Sequence, residues 1–215
     1  IIEAEPSPEC RPRLTRYSAA QSVQSTETLS LDPDYLSASG HVLPISMGGE
    51  ALGLLQRWAQ ELPTWSCLEG KQPRDLWAGR EVDETGSARW LSDQGESPLF
   101  VKGRMVDRLT LREQPSQRVE KPEWQAPPSI AHERIAWRDV SRPSQKRRVM
   151  ATQIPAGWAA GNSLGVAHFR DGCPRALRAL LGVLSSAVFE LQLRAHLATG
   201  HVSLSSLRKV RLPDR

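Results

Sequence analysis

PRALRALLGVLSSAVFELQLRAHLAT, residues 174–199, is the stretch whose reading decides the fold. Leu177, Leu181, Leu184, Val188, Leu191 and Ala195 recur at intervals of three, four and seven, and Leu180 and Ala187 widen the stripe. That period belongs to one face of a helix. The spacing predicts a single long amphipathic helix that buries this face. Asp171 lies near its start, where a negative charge complements the helix dipole. Pro174 suits the first turn because its missing N–H is one the helix cannot use. Gly200 is placed to take a left-handed C′ position. Glu190 and Arg194 form an i,i+4 pair worth a few tenths of a kcal/mol. The tail HVSLSSLRKVRLPDR, 201–215, follows with Arg208, Lys209 and Arg211.

Upstream of the helix the pattern changes from a period of 3.6 to a period of two. In ERIAWRDV, 133–140, Ile135 and Trp137 point one way, and Arg134, Ala136 and Arg138 the other. VMATQIP, 149–155, reads as a second strand stopped by Pro155, and LGVAHF, 164–169, as a third. Leu52, Leu55, Trp58, Ala59 and Leu62 predict an amphipathic helix over 50–62, ended by Pro63. Glycines at 70, 79, 86, 95 and 103 punctuate short pieces that favour strands and turns, PLFVKGRMVDRL at 98–109 among them. VLPI at 42–45 is a candidate short strand, Asp32-Pro33 a turn, and the rest of 1–41 fits helix or loop equally. Residues 112–133 are Pro-rich and polar and read as a surface loop or insertion. The expected class is therefore α+β. A mixed or antiparallel β-sheet with long loops is supported by the long C-terminal amphipathic helix.

Charge locates the candidate functional face. The net charge is only +4, so it argues for a polyanionic partner only where it is clustered. It is clustered at 134–148, where Arg134, Arg138, Arg142, Lys146, Arg147 and Arg148 stand against Asp139 alone. Such side chains neutralise phosphates, and an Arg at a strand end can read guanine O6 and N7. The competing reading is a solvated loop. Asn162 and Ser163, in the AAGNSLG turn, either pair with adenine or simply suit the turn. Lys102 and Arg104 flank Gly103, which either lets a ligand approach the backbone or kinks a strand. Trp124, Trp137 and Trp158 are either a stacking platform or core, and Trp137 is the best core candidate. Arg208 and Lys209 are secondary phosphate contacts.

Catalytic apparatus is missing from the pattern. No Walker motif, GxSxG, HExxH or GxGxxG is present. QAPPS at 125–129 holds a Pro-Pro pair without the Asn or Asp before it and the aromatic after it that an adenine methyltransferase needs. Cys10, Cys67 and Cys173 form no metal-spaced set or disulfide framework, which points to a reducing, cytoplasmic setting. No apolar run approaches a membrane span. The start IIEAEPSPEC, without Met, suggests a fragment of a longer protein, read as one domain over 1–215.

Several segments, taken in order, resemble a known family. REVDETGSARWL at 80–91, PLFVKGRMVDRL at 98–109, ERIAWRDVSRPSQKRRVMATQIP at 133–155, AGNSL at 160–164 and LRALLGVLSSAVFELQLRAHLATGHVSLSSLRKVRLP at 177–213 are similar to the C-terminal target-recognition (specificity) domain of bacterial type II restriction–modification adenine-N6 DNA methyltransferases. TaqI-like specificity domains and, more loosely, the specificity subunits of multisubunit restriction systems are wider relatives. Val101 stands where the family has Glu, and Asp107-Arg108 where it has His-Gln.

The resemblance implies a helix–turn–strand scaffold over 174–213. It implies a non-catalytic module that grips double-stranded DNA while a separate N-terminal methyltransferase domain binds S-adenosylmethionine and flips the adenine. No cofactor, metal or membrane is expected for this module, and the setting would be the bacterial cytoplasm. Two other classes compete. One is an interaction domain that docks on a partner subunit through the Leu177–Ala195 stripe. The other is a free-standing enzyme such as a nuclease, which would need an assembled carboxylate cluster with a bound metal.

Overall fold

The computed structural model describes residues 2–3, 12–20, 23–41, 44, 47–71, 75–197 and 199–213. In chain order these form β1 (Ile2–Glu3), β2 (Arg13–Ala20), β3 (Val23–Ser30), α1 (Pro33–Ala38), α2 (Gly49–Glu61), α3 (Trp65–Leu68), β4 (Leu76–Gly79), α4 (Glu84–Ser87), β5 (Leu91–Ser92) and β6 (Phe100–Val101). They continue with β7 (Arg118–Val119), β8 (Arg134–Arg138), β9 (Ala151–Ile154), β10 (Ala159–Ala160), β11 (Leu164–Phe169), α5 (Pro174–Leu184), α6 (Ala187–His196) and α7 (Leu204–Leu207). The class is α+β, as the two periodicities predict.

The central sheet runs β4-β11-β8-β9, and every pairing in it is antiparallel. Both of its faces are covered, which is why β8 is buried at every position from Arg134 to Trp137. Ile135 and Trp137 pack on one face with Leu177, Leu180, Leu184, Phe189 and Leu193. Ala136, Ile154, Leu164 and Val166 pack on the other with Val101, Met105 and Val106. Trp137 is fully buried and meets Trp65 edge to face, with ring centroids 6.1 Å apart. Its indole lies across the neighbouring strand at Gly165, where an added Cβ would overlap the ring. Only glycine leaves room there.

The C-terminal stripe is two helices, not one. The chain bends by 64° between α5 and α6. Ser186 caps the second helix, its Oγ accepting from the Phe189 N–H at 3.1 Å. The predicted stripe holds in the first helix, where Leu177, Leu180 and Leu184 are buried, but in the second Ala187 and Val188 are exposed and Phe189, Leu193 and Ala195 are buried. The tail also departs from the helix–turn–strand expectation. It holds the short α7 and two isolated bridges, from Arg211 to Thr64 and from His201 to Val140. Gly200 is not left-handed, since the chain has already left the helix at Leu197.

The remaining elements surround this centre. β1, β2 and β3 form a separate antiparallel sheet, a regular structure that 1–41 did not announce. Asp32-Pro33 begins α1, with the Asp32 carboxylate accepting from the Asp34 N–H at 2.8 Å. α2 buries Leu52 and Leu55 against Tyr35 and Ala195. PLFVKGRMVDRL contributes only the two-residue β6, paired in parallel with β10, before a 3-10 turn at Gly103–Met105. The 112–133 segment is largely irregular but anchored, with Val119 and Ile130 buried. Most of the candidate strand at 42–45 lies outside the described residues. No single described helix is long and apolar enough to cross a membrane.

Candidate nucleic-acid interface

The cation run divides by burial. Arg134 has no exposed side-chain surface, and its Nε lies 2.8 Å from Glu81 Oε1, with that carboxylate equally buried. The contact is an ion pair rather than an aligned hydrogen bond, because the Nε–H itself finds no acceptor. The other guanidinium nitrogens donate to the carbonyls of His132 and Trp158. Burial pushes the Arg134 pKa down, and Glu81 works against that shift. Arg148 is buried as well. Its Nε donates to Ser141 Oγ at 2.6 Å and its Nη2 to the Thr199 carbonyl at 2.8 Å. Its backbone N–H meets both oxygens of Glu190, at 2.9 and 3.0 Å. Neither guanidinium is on the surface, so both leave the set of candidate phosphate contacts.

Glu190 also carries more than a helix-surface pair. It is 6 % exposed, bonds Arg194 Nε at 2.7 Å and holds the backbone at 148–149. Arg194 in turn donates to the carbonyls of Gln145 and Lys146, at 2.8 and 3.2 Å. The Ser141 N–H donates to the Gly200 carbonyl at 2.8 Å. The 139–150 connection is thus fastened from beneath, and Arg142 and Lys146 remain exposed while Arg147 is half-buried.

Strand register gathers further groups at the same end of the central sheet. Leu164 lies opposite Arg138, Trp137 opposite Ala151, and Val166 opposite Gly79. Arg80, Arg138, Met150 and the Asn162-Ser163 turn therefore share one sheet edge. Arg80 pairs with Asp139 at 3.0 Å and keeps about half of its side chain in solvent. His201 Nδ1 reaches the same carboxylate at 3.3 Å. Asp107 lies near Arg138. Its carboxyl is held below the usual range by hydrogen bonds from the Arg112 side chain and the Arg108 N–H, and by the Arg112 and Arg138 charges. Arg80 was not singled out in the sequence because it stands apart from the cation run, and only the fold brings it to Asp139 within that run.

The remaining candidates are engaged within the protein. Asn162 Nδ2 donates to Asp83 at 3.0 Å, and its Oδ1 accepts from the Glu84 N–H at 3.3 Å. Ser163 Oγ donates to Glu84 at 2.5 Å and accepts from the Gly103 N–H at 2.9 Å. The turn is thus a clasp between β11, α4 and the Gly103 turn. A Cβ on Gly103 would stand 2.9 Å from Ser163 Oγ, so the close approach that this glycine allows is to Ser163. Lys102 Nζ donates to Gln117 at 2.7 Å, and the exposed Arg104 pairs with Glu113 at 3.2 Å. Arg208 forks onto Glu69, and Lys209 Nζ donates to the Ser39 carbonyl at 3.3 Å. Trp124 and Trp158 are half-buried against the core. Among the described residues no group of three or more His, Cys, Asp or Glu is placed to hold a metal.

No protein-family model matches the chain, and no curated protein does. Among solved structures it is loosely similar to a chain from a study of complex assembly and conformational transition in a type I restriction–modification system. The two share 13 % identity at a TM-score of 0.39, over 86 % of this chain and 48 % of that one. The present chain thus corresponds to about half the length of the chain it matches.

Proposed function

We propose that this chain is the double-stranded DNA target-recognition module of a restriction–modification assembly. In this reading it positions a duplex for S-adenosylmethionine-dependent adenine-N6 methylation by a separate N-terminal domain. The observation that carries the reading is the group of solvent-facing cations at one end of the central sheet. Arg138, Arg142, Lys146 and Arg147 stand there on a connection braced by Glu190 and Arg194. Phosphate contacts from these side chains set register and orientation, and they carry no sequence information. Base reading falls to Arg138 at the strand end and to Asn162. For Asn162 to pair with an adenine edge it must exchange its bonds to Asp83 and Glu84. Selection of binding sites from a randomised duplex pool tests the proposal. Enrichment of one shared motif supports target recognition, and recovery of the pool unsorted removes it.

A second reading is an interaction domain within a multisubunit assembly. Val140 and Val188, exposed at 53 % and 48 %, favour it. Val188 belongs to the Leu177–Ala195 stripe, but the α5 part of that stripe does not serve this reading, because Leu177, Leu180 and Leu184 are buried in the protein's own core.

A further inference from the structure

A recess between α1, α2, α6 and the C-terminal tail contains two buried polar groups that have no partner among the described residues. Tyr35 is 5 % exposed, and its hydroxyl meets no hydrogen-bond partner. His196 Nδ1, equally hidden from solvent, also meets none. Both residues line the recess. A buried orphan of this kind calls for a physical reason, because an unmade hydrogen bond costs the full desolvation of its group.

The rest of the lining says what would satisfy them. Its other polar residues are Ser39, Gln192, Lys209 and Arg211, and no carboxylate is present. Gln192 has both ends of its amide committed to the Arg211 backbone, at 3.0 and 3.2 Å, which fixes the tail at the mouth. Arg211 Nη1 donates to the Leu62 carbonyl at 2.9 Å, which uses one of the five donors of its guanidinium. Burial, helped by the Lys209 and Arg211 charges, pushes His196 down to about 4. The imidazole is therefore neutral at pH 7 and can present an N–H at Nδ1. A hydroxyl, an imidazole N–H, an ammonium and a guanidinium together make a donor set. The recess spans about 280 Å³ to its open mouth, and its enclosed part has room for about one oxygen-sized atom.

We propose that this recess binds a small oxyanion of the phosphate or sulfate type. One of its oxygens sits against the Tyr35 hydroxyl and His196 Nδ1, and Lys209 and Arg211 hold its charge at the mouth. The site is separate from the cationic sheet edge and does not depend on the DNA reading. The same chemistry is offered by a free inorganic ion and by a backbone phosphate of a nucleic acid.

Thermal unfolding and NMR of this chain at pH 7, with sodium sulfate or phosphate against sodium chloride at matched ionic strength, test the proposal. The expected result is a saturable rise in Tm accompanied by shifts in the Tyr35 and His196 ring signals. Lys209→Gln weakens apparent affinity tenfold or more. Tyr35→Phe breaks no existing hydrogen bond, so it raises Tm without the anion and weakens anion binding severalfold. A duplex that competes with phosphate for the ring shifts identifies the nucleic-acid backbone as the source, and a duplex without effect identifies the free ion. A rise in Tm that stays linear in sulfate and is the same in all three proteins is the general action of an excluded salt, and it overturns the site.

Discussion

Removing the Arg134 guanidinium leaves the Glu81 carboxylate buried without a counter-charge. Breaking a buried pair from one side costs about 3–5 kcal/mol. Arg134→Met should therefore lose that much in urea unfolding, and the Arg134→Met, Glu81→Leu double variant should recover a large part of it. A single variant within about 1 kcal/mol of the parent would refute the pairing as described. Arg138, four residues further on the same strand, should behave oppositely and tolerate Gln with a change under about 0.5 kcal/mol. The run of cations at 134–148 was legible in the sequence, but its division was not. The acids that bury Arg134 and brace the Arg148 backbone lie 53 and 42 residues away, beyond the reach of any local pattern. Asn162 and Ser163 were legible as a turn, and the carboxylates of Asp83 and Glu84 that occupy them were not.

His196, in the recess away from the sheet end, gives a pH dependence of stability. Its folded pKa is depressed from 6.5 to about 4, chiefly by burial. The unfolded chain therefore binds more protons between these values, and stability falls as pH drops from 6.5 through about 4. That gap corresponds to about 3 kcal/mol at most. His196→Phe should flatten the stability profile in this window relative to the parent. Parallel profiles for the two proteins would show that the imidazole is already solvated.

At the scale of the element, the joint between α5 and α6 decides how the C-terminal third covers the sheet. Ser186→Ala removes the hydroxyl that caps the second helix and should cost about 1 kcal/mol by chemical denaturation. An unchanged midpoint would mean that the bend is held by packing alone. The apolar stripe announced that this region is helical and buried. It did not announce the break, and after the 64° bend the buried residues are Phe189, Leu193 and Ala195, while Ala187 and Val188 of the predicted stripe are exposed. The Ser185-Ser186 pair was the available signal, since serine is a poor helix-interior residue and a strong cap. The strands at 134–138, 151–154 and 164–169 were legible from alternation and from stops at Gly and Pro. Their antiparallel register was not, and it is the register that brings Arg80 to the same end of the sheet as Arg138, with β11 between their strands. The 112–133 segment holds only the two-residue β7 and a 3-10 turn as regular structure, and Val119 and Ile130 tie it to the core.

At the scale of the whole molecule, the helices are mostly spent inward, while Arg142 and Lys146 are exposed and Arg138 and Arg147 half-buried at one end of the sheet. In the proposed reading the connections at one sheet end would grip the polyanion, and the C-terminal helices would serve as support. Fluorescence anisotropy of this chain on duplex DNA, from low to physiological salt, tests that division most directly. The parent should bind with log affinity falling linearly in log salt. Replacing Arg138, Arg142, Lys146 and Arg147 together with Gln should weaken binding and reduce the slope by about 0.9 for each phosphate no longer neutralised. A parent that fails to bind the duplex, or a quadruple variant with unchanged affinity and slope, would contradict the account.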